Sequence, residues 1–317
     1  MGLRIPDAYG PGERILPPYL LFANGKLVQI KKKFYDLKNS NVAYAGSTVL
    51  TLSDGTWQKS EFPELIGGDV SEVLFVKENH IYILIHTAGA TLEFLKLFIW
   101  ENESFVELLL EGPTEKYLND GRVPQVGVAG GETTDGDTIL YQTNKAGDIT
   151  LYTLQLRNRM AQIEETGTIS SCINTRKTEA MLADVFQDTL IITTGLEHSR
   201  HRESFFWDDE VIFLFDLKHK ITKKLNVHST DILSCGSGPT SSFFNPKTGT
   251  WLLAGHTERG DVPGGTLWLL TDVLKNDARL TWKEYDRHIA DGEHVFDNGT
   301  VFTVTKGKVT RLDLSQL

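Results

Sequence analysis

The densest run of chemically capable side chains is residues 195–210, GLEHSRHRESFFWDDE. It sets His198, Arg200, His201, Arg202 and Glu203 ahead of Phe205, Phe206 and Trp207, and closes on Asp208, Asp209 and Glu210. Arginine and aromatic side chains dominate interface hot spots, because each covers a large contact area from a pocket that excludes water. A second run, residues 255–265 (GHTERGDVPGG), adds His256, Glu258, Arg259 and Asp261. Long connections inside a compact domain are uncommon and often bind something. The chemistry expected is recognition of a protein or peptide partner by His198, Arg200, His201, Arg202, Phe205, Phe206, Trp207, His256, Glu258 and Arg259.

Catalytic and metal patterns are weaker. His198 and His201 stand three apart, half of a zinc pattern, but zinc needs three or four ligands and no second Cys or His pair accompanies them. Residues 130–137 (GGETTDGD) offer oxygen ligands without the spacing of an EF-hand. No Gly-rich phosphate loop opens a helix, and no G-x-S-x-G turn is present. No metal, cofactor or catalytic set is therefore expected. A separate polar set, Asp69, Asp120, Arg122, Arg176, Asp291 and Glu293, falls in turn segments. Carboxylate pairs of that kind serve glycoside hydrolysis. A hydrolase acting on a glycan or a phosphorylated small molecule is thus the alternative function. A glycan-binding lectin, with Trp57, Trp100 and Trp282 as aromatic faces, is another.

The elements that must hold these residues recur. An alternating apolar strand, a turn and a second strand return about every fifty residues, a period that marks a repeat architecture. The copies begin at Thr48, Leu92, Asp148, Glu210, Thr266 and Lys308. Strands and turns repeated at this period imply an all-β, six-bladed β-propeller, with seven blades as the alternative. One domain covering residues 1–317 is expected. Counting from the axis outward, the second blade reads 71–76, 80–86, 92–100 and 105–110. The third reads 125–129, 138–143, 148–154 and 160–165, and the fourth 180–186, 189–194, 210–216 and 221–225. The fifth reads 241–244, 250–255, 266–272 and 280–285. The sixth, 293–296, 300–305 and 308–314, lacks an outer strand. Residues 13–17 are expected to supply it, so that the N-terminal strand pairs in the last blade and closes the ring. Open edges invite aggregation, and closure removes them. In that geometry the two long runs share one face, and Asp69, Asp120, Arg122, Arg176, Asp291 and Glu293 ring the channel mouth.

The fourth and fifth repeats also carry a resemblance. LIITTG ends a strand in glycine, and EVIFLFDLKHKITKKL follows with an apolar strand, an Asp and a second strand. WLLAGHTERGDVPGGTLWLLTD and LTWKEYD have the same outline, with Trp282 late in the repeat. Both resemble kelch repeats. The resemblance implies a kelch-like propeller, and with it a non-enzymatic scaffold or adaptor.

Composition narrows the partner. A formal charge of -10 over 317 residues argues against nucleic acid and anionic membranes, which need clustered Lys and Arg. No stretch approaches the ~20 apolar residues of a membrane helix. The N-terminal residues have no apolar leader. Cys172 and Cys235 read as free thiols of a reducing compartment. A cytoplasmic or nuclear location is expected.

Overall fold

Period-two alternation becomes β-structure throughout the computed structural model. The structure describes residues 13–15, 19–23, 26–36, 42–53, 56–62, 69–78, 80–88, 94–101, 104–112, 126–143, 148–170, 182–194, 211–229, 239–259, 262–275, 277–286, 293–297, 300–305 and 308–313. Among them the regular structure is all β apart from one 3-10 turn at Val273–Lys275. No helix among the described residues is long and apolar enough to cross a membrane. The chain divides into two units. One comprises residues 2–125 and 156–164, the other residues 1, 126–155 and 165–317.

The first unit opens with β1 (Glu13–Ile15), β2 (Tyr19–Ala23), β3 (Lys26–Asp36), β4 (Val42–Ser53) and β5 (Thr56–Phe62). Strands β2 to β5 pair in sequence order, each antiparallel to the next. A second meander follows in β6 (Asp69–Lys77), β7 (His80–Ala88), β8 (Phe94–Glu101) and β9 (Ser104–Glu111). Its first strand lies beside β2 and β4.

One expectation changes here. Residues 13–17 were expected in the last blade, but Glu13–Ile15 pairs with β3, Glu13 opposite Tyr35 and Ile15 opposite Lys33. Strand length explains it. β3 has 11 residues, β2 covers only Lys26–Ile30, and the edge left over meets the nearest preceding strand. Residues 31–36 and 42–46 are the far half of the β3–β4 hairpin. Lys31–Asp36 continues the ladder against Val42–Thr48 through a bulge between Lys33 and Phe34.

The remaining strands begin with β10 (Val126–Val128), β11 (Gly130–Gly131), β12 (Thr138–Thr143), β13 (Ile149–Arg157) and β14 (Met160–Ile169). A third meander runs β10, β12, β13, β14. The tip of its last hairpin, residues 156–164, counts with the first unit. There Met160–Gln162 runs parallel to Leu109–Glu111 and covers the outer edge of β9. The fourth meander is β15 (Leu182–Phe186), β16 (Thr189–Thr194), β17 (Val211–Asp216) and β18 (Ile221–Lys224). After β19 (Asn226–Ser229) comes the fifth: β20 (Pro239–Asn245), β21 (Thr250–Arg259), β22 (Val262–Thr271) and β23 (Asp277–Asp286). β19 runs parallel to the outer edge of β23, repeating what residues 160–162 do for β9. The last meander, β24 (Glu293–Asp297), β25 (Thr300–Thr305) and β26 (Lys308–Asp313), shows three strands among the described residues. Within this unit β15 lies beside β20, and β20 beside β24.

In the fourth meander burial falls from the inner two strands to the last. Residues 183–185 of β15 and 190–192 of β16 are all buried, as in strands covered on both faces. The four residues of β18 are all exposed. One core joins the third and fourth meanders through Ile139, Tyr141, Ile149, Leu151, Leu190, Ile192 and Phe215. A second joins the fourth and fifth through Ile191, Ile212, Leu214, Trp251, Leu253 and Leu270. Each fully buried side chain of this size contributes roughly 1.5–3 kcal/mol relative to exposure.

Gly131 ties the third and fourth meanders. Its φ is +77°, it pairs with Val185, and a Cβ there would lie 2.5 Å from the Val185 carbonyl oxygen. Gly136 has φ +79° with open space around it. Left-handed backbone costs an L-residue about 1–2 kcal/mol, and contact with a neighbouring carbonyl adds to that. In urea unfolding, Gly136→Ala is expected to lose about 1 kcal/mol and Gly131→Ala at least twice as much. Equal losses would show that the approach to Val185 is unimportant.

Candidate functional site

Most of the sequence-expected partner residues lie in one connection. His198, Arg200, His201, Arg202, Phe205, Phe206 and Trp207 fall in residues 195–210, outside the described residues. The connection starts and ends at a paired position, Thr194 opposite Val211, so it leaves the β16–β17 end of the fourth meander. Among the channel-mouth residues, Asp120, Arg122, Arg176 and Asp291 also lie outside the described residues. Asp69 was expected in a turn but is the first residue of β6, paired with Ala88, and Glu293 opens β24, where the strand at 293–296 was expected, paired with Val304. β6 starts two positions earlier than the expected strand at 71–76.

The second expected loop is a correction. Residues 255–259 and 262–265 are not an irregular connection but the far half of the β21–β22 hairpin. His256 stands opposite Gly265, Thr257 opposite Gly264, Glu258 opposite Pro263 and Arg259 opposite Val262. The glycines and proline that read as loop signals sit on one strand, opposite residues that pair readily. β20 reaches only as far as Gly255, and β23 only as far as Gly265. Residues 256–259 and 262–264 therefore form a two-stranded ribbon beyond both neighbours, about 13 Å long at the usual strand rise. His256 and Glu258 occupy alternate positions on one face, and Arg259 shares the other with Thr257.

Sequence reading missed a buried polar joint between the fourth and fifth meanders. Asp184 is the middle residue of β15 and is 3% exposed. Its Oδ2 accepts a 2.5 Å hydrogen bond from the Trp251 indole Nε1. The Ser242 hydroxyl and the Phe244 N–H also bond the carboxyl. Burial pushes Asp184 up to about 6, against the pull of those three donors. Burial likewise pushes the Tyr141 phenol far up, and the nearby Asp184 charge adds to it. Gly130 is bare because a Cβ there would lie 2.3 Å from Asp184 Oδ1. The signal was one acid inside an apolar strand, LADVF, at a position facing the core.

A second carboxylate, Asp188, works at the β15–β16 turn. Gln187 and Asp188 have φ of +47° and +62°, the left-handed pair that a tight hairpin needs. The Asp188 carboxylate accepts from Lys218 Nζ at 2.7 Å, from Thr134 N–H at 2.8 Å and from the Thr134 hydroxyl. Its carbonyl accepts from Leu217 N–H. These partners hold Asp188 down to about 2, the Lys218 ammonium first and the two Thr134 donors after it. The pair of carboxylates is a structural clasp. Neither is free to reach a substrate, and no group of His, Cys, Asp or Glu among the described residues is placed to hold a metal ion.

No protein-family model matches the chain, and no curated protein does. Solved structures that resemble it include a thermostable family-43 glycoside hydrolase, at 13% identity and TM-score 0.41, covering 89% of this chain and 96% of that one. They also include a triple arginine-to-alanine mutant of AofleA from Arthrobotrys oligospora, at 8% identity and TM-score 0.47, covering 93% of this chain and 74% of that one.

The Asp184 joint makes a pH-dependent test. Unfolded, the carboxyl ionises near its usual value of 3.8; folded, it does so near 6. Between those values the unfolded chain sheds a proton that the folded chain keeps. Stability from this group is therefore full below about pH 4 and falls as pH rises through 6. The loss is on the order of 2–3 kcal/mol. Asp184→Asn keeps the shape and is expected to remove that slope from melting temperatures measured between pH 4 and 7. An unchanged slope would place the titration elsewhere.

Proposed function

We propose that the meanders are blades of a β-propeller and that the protein works by binding a protein or peptide partner without catalysing a reaction. The wheel is supported by the succession of meanders, by first strands that adjoin in each unit, and by outer edges bridged in parallel. The observation that carries the binding role is the two-stranded ribbon of residues 256–259 and 262–264, which no other strand flanks among the described residues. A two-stranded ribbon is marginal by itself in water, so a covering partner gains from ordering it. Glu258 and Arg259 are the last paired residues of its first strand, and arginine is enriched among residues that anchor interfaces. The connection at residues 195–210, with Arg202, Phe206 and Trp207, is proposed to serve the same surface.

Carbohydrate is the competing ligand, bound or hydrolysed. The glycoside hydrolase noted above belongs to that class, but a likeness at that level decides nothing between the two. The buried Asp184 is no candidate acid for hydrolysis, because its acceptor positions are taken and solvent does not reach it.

The test shortens the hairpin by joining Gly255 to Gly265 through Asn-Gly, a turn that suits a two-residue connection. The variant is expected to keep its circular dichroism and melt within a few degrees of the parent. It should lose at least 10-fold in capture of its partner from native extract, with Arg259→Glu giving a smaller loss. Ribbon-dependent binding on a glycan array, with no protein captured, would replace the proposal by the carbohydrate reading. Undiminished capture by the shortened protein would end it.

A further inference from the structure

We propose that the outer edge of β18 takes an extended acidic peptide as an added strand. β18 and the turn before it read Lys218, His219, Lys220, Ile221, Thr222, Lys223 and Lys224, in a chain whose formal charge is -10. All seven side chains are exposed. Lys218 is held by Asp188, and His219 by Asp216. Lys220, Lys223 and Lys224 form no ion pair among the described residues. Ile221 is 61% exposed and offers an apolar contact in the middle of the charge.

The backbone is arranged to accept a strand. Leu225 N–H bonds the Ile212 carbonyl, so in an antiparallel ladder the next bonded pairs are Leu214 with Lys223 and Asp216 with Ile221. Thr222 and Lys224 then direct their N–H and C=O groups away from β17. Among the described residues, no strand lies on that side. The corresponding edges of β9 and β23 are each covered by a parallel segment, residues 160–162 and 226–229. The fold thus already uses strand addition at outer edges, and among the described residues β18 has no such cover.

Lysines on an edge ordinarily keep a second strand away, by charge and hydration. The same charges attract a strand rich in Glu or Asp, since opposite charges across a ladder stabilise it. Main-chain bonds would supply affinity, and the lysines would select the partner. Lys223 and Lys224 lie on opposite faces of the strand, so the partner must carry acids at successive positions.

The probe is a capped heptapeptide of glutamates with valine at its third and fifth positions. Two copies carry backbone N-methyl groups at odd or at even residues. Wild-type protein is expected to bind the parent peptide and one methylated copy, and to lose at least 10-fold with the other. Hydrogen exchange should slow at the amides of Thr222 and Lys224 when the peptide is bound. Thr222→Pro removes one outward N–H while keeping every charge, and should lose at least 5-fold. Lys220→Glu, Lys223→Glu and Lys224→Glu combined should abolish binding while leaving circular dichroism unchanged. Equal binding of both methylated copies, no protection at the two amides, or an oligonucleotide binding as tightly as the peptide would overturn strand addition. Failure of the peptide to bind at all would overturn it too. None of these outcomes depends on the ribbon at residues 256–264.

Discussion

Leu190, Ile191 and Ile192 are consecutive, all fully buried, and sent to two different cores. A strand allows this only when both faces are covered, since neighbouring side chains point to opposite sides. The same division holds in β17, where Phe215 joins one core while Ile212 and Leu214 join the other. The fourth meander is therefore a partition packed from both sides. That constraint decides what its neighbours must be. The third meander has to present Tyr141 and Leu151, and the fifth has to present Trp251 and Leu253, at matching depth.

Once sheets stack face to face, polar groups between them become costly unless they are bonded. Asp184 is the case in point. Its position in β15 points it at the fifth meander, where Trp251, Ser242 and Phe244 each offer a donor. Removing the carboxylate's partners would leave a buried charge, so the joint ties orientation as well as distance. Asp188 does similar work near the surface, where three turns meet on one carboxylate. Its ion pair with Lys218 is exposed on the lysine side and covered on the carboxylate side, and the two Thr134 donors add to the connection.

Strand positions were the legible part of the sequence. Thr138–Thr143, Thr189–Thr194 and Thr300–Thr305 appear where the alternation places them, residue for residue. Their signal is local: a strand buried on both faces reads as an apolar run bounded by turn residues. Pairing partners were less legible. Glu13–Ile15 looks like a spare strand, and sequence does not say which edge is open, because that depends on how far β3 outruns β2. The ribbon failed for a related reason. Gly264, Gly265 and Pro263 signal a turn by type, but Pro can sit at a ladder position without a neighbour on its outer side. Asp184 was hidden because its identity matters only once a second sheet supplies the indole that faces it. Of the candidate surface, the charge of residues 256–259 was legible, and its shape was not.

The parallel bridges bear on how such a chain can be cut and recombined. Residues 226–229 follow the fourth meander in sequence but complete the edge of the fifth, and residues 160–162, within the last strand of the third meander, complete the edge of the second. The transferable module is consequently not a sheet from turn to turn. It is a segment offset by part of one outer strand, so that each piece arrives with the staple for its neighbour. A graft designed with its seam near Lys224 would separate β19 from the meander that precedes it and keep β23 covered. One designed with its seam near Pro239 would carry β19 away and leave a bare edge in the host.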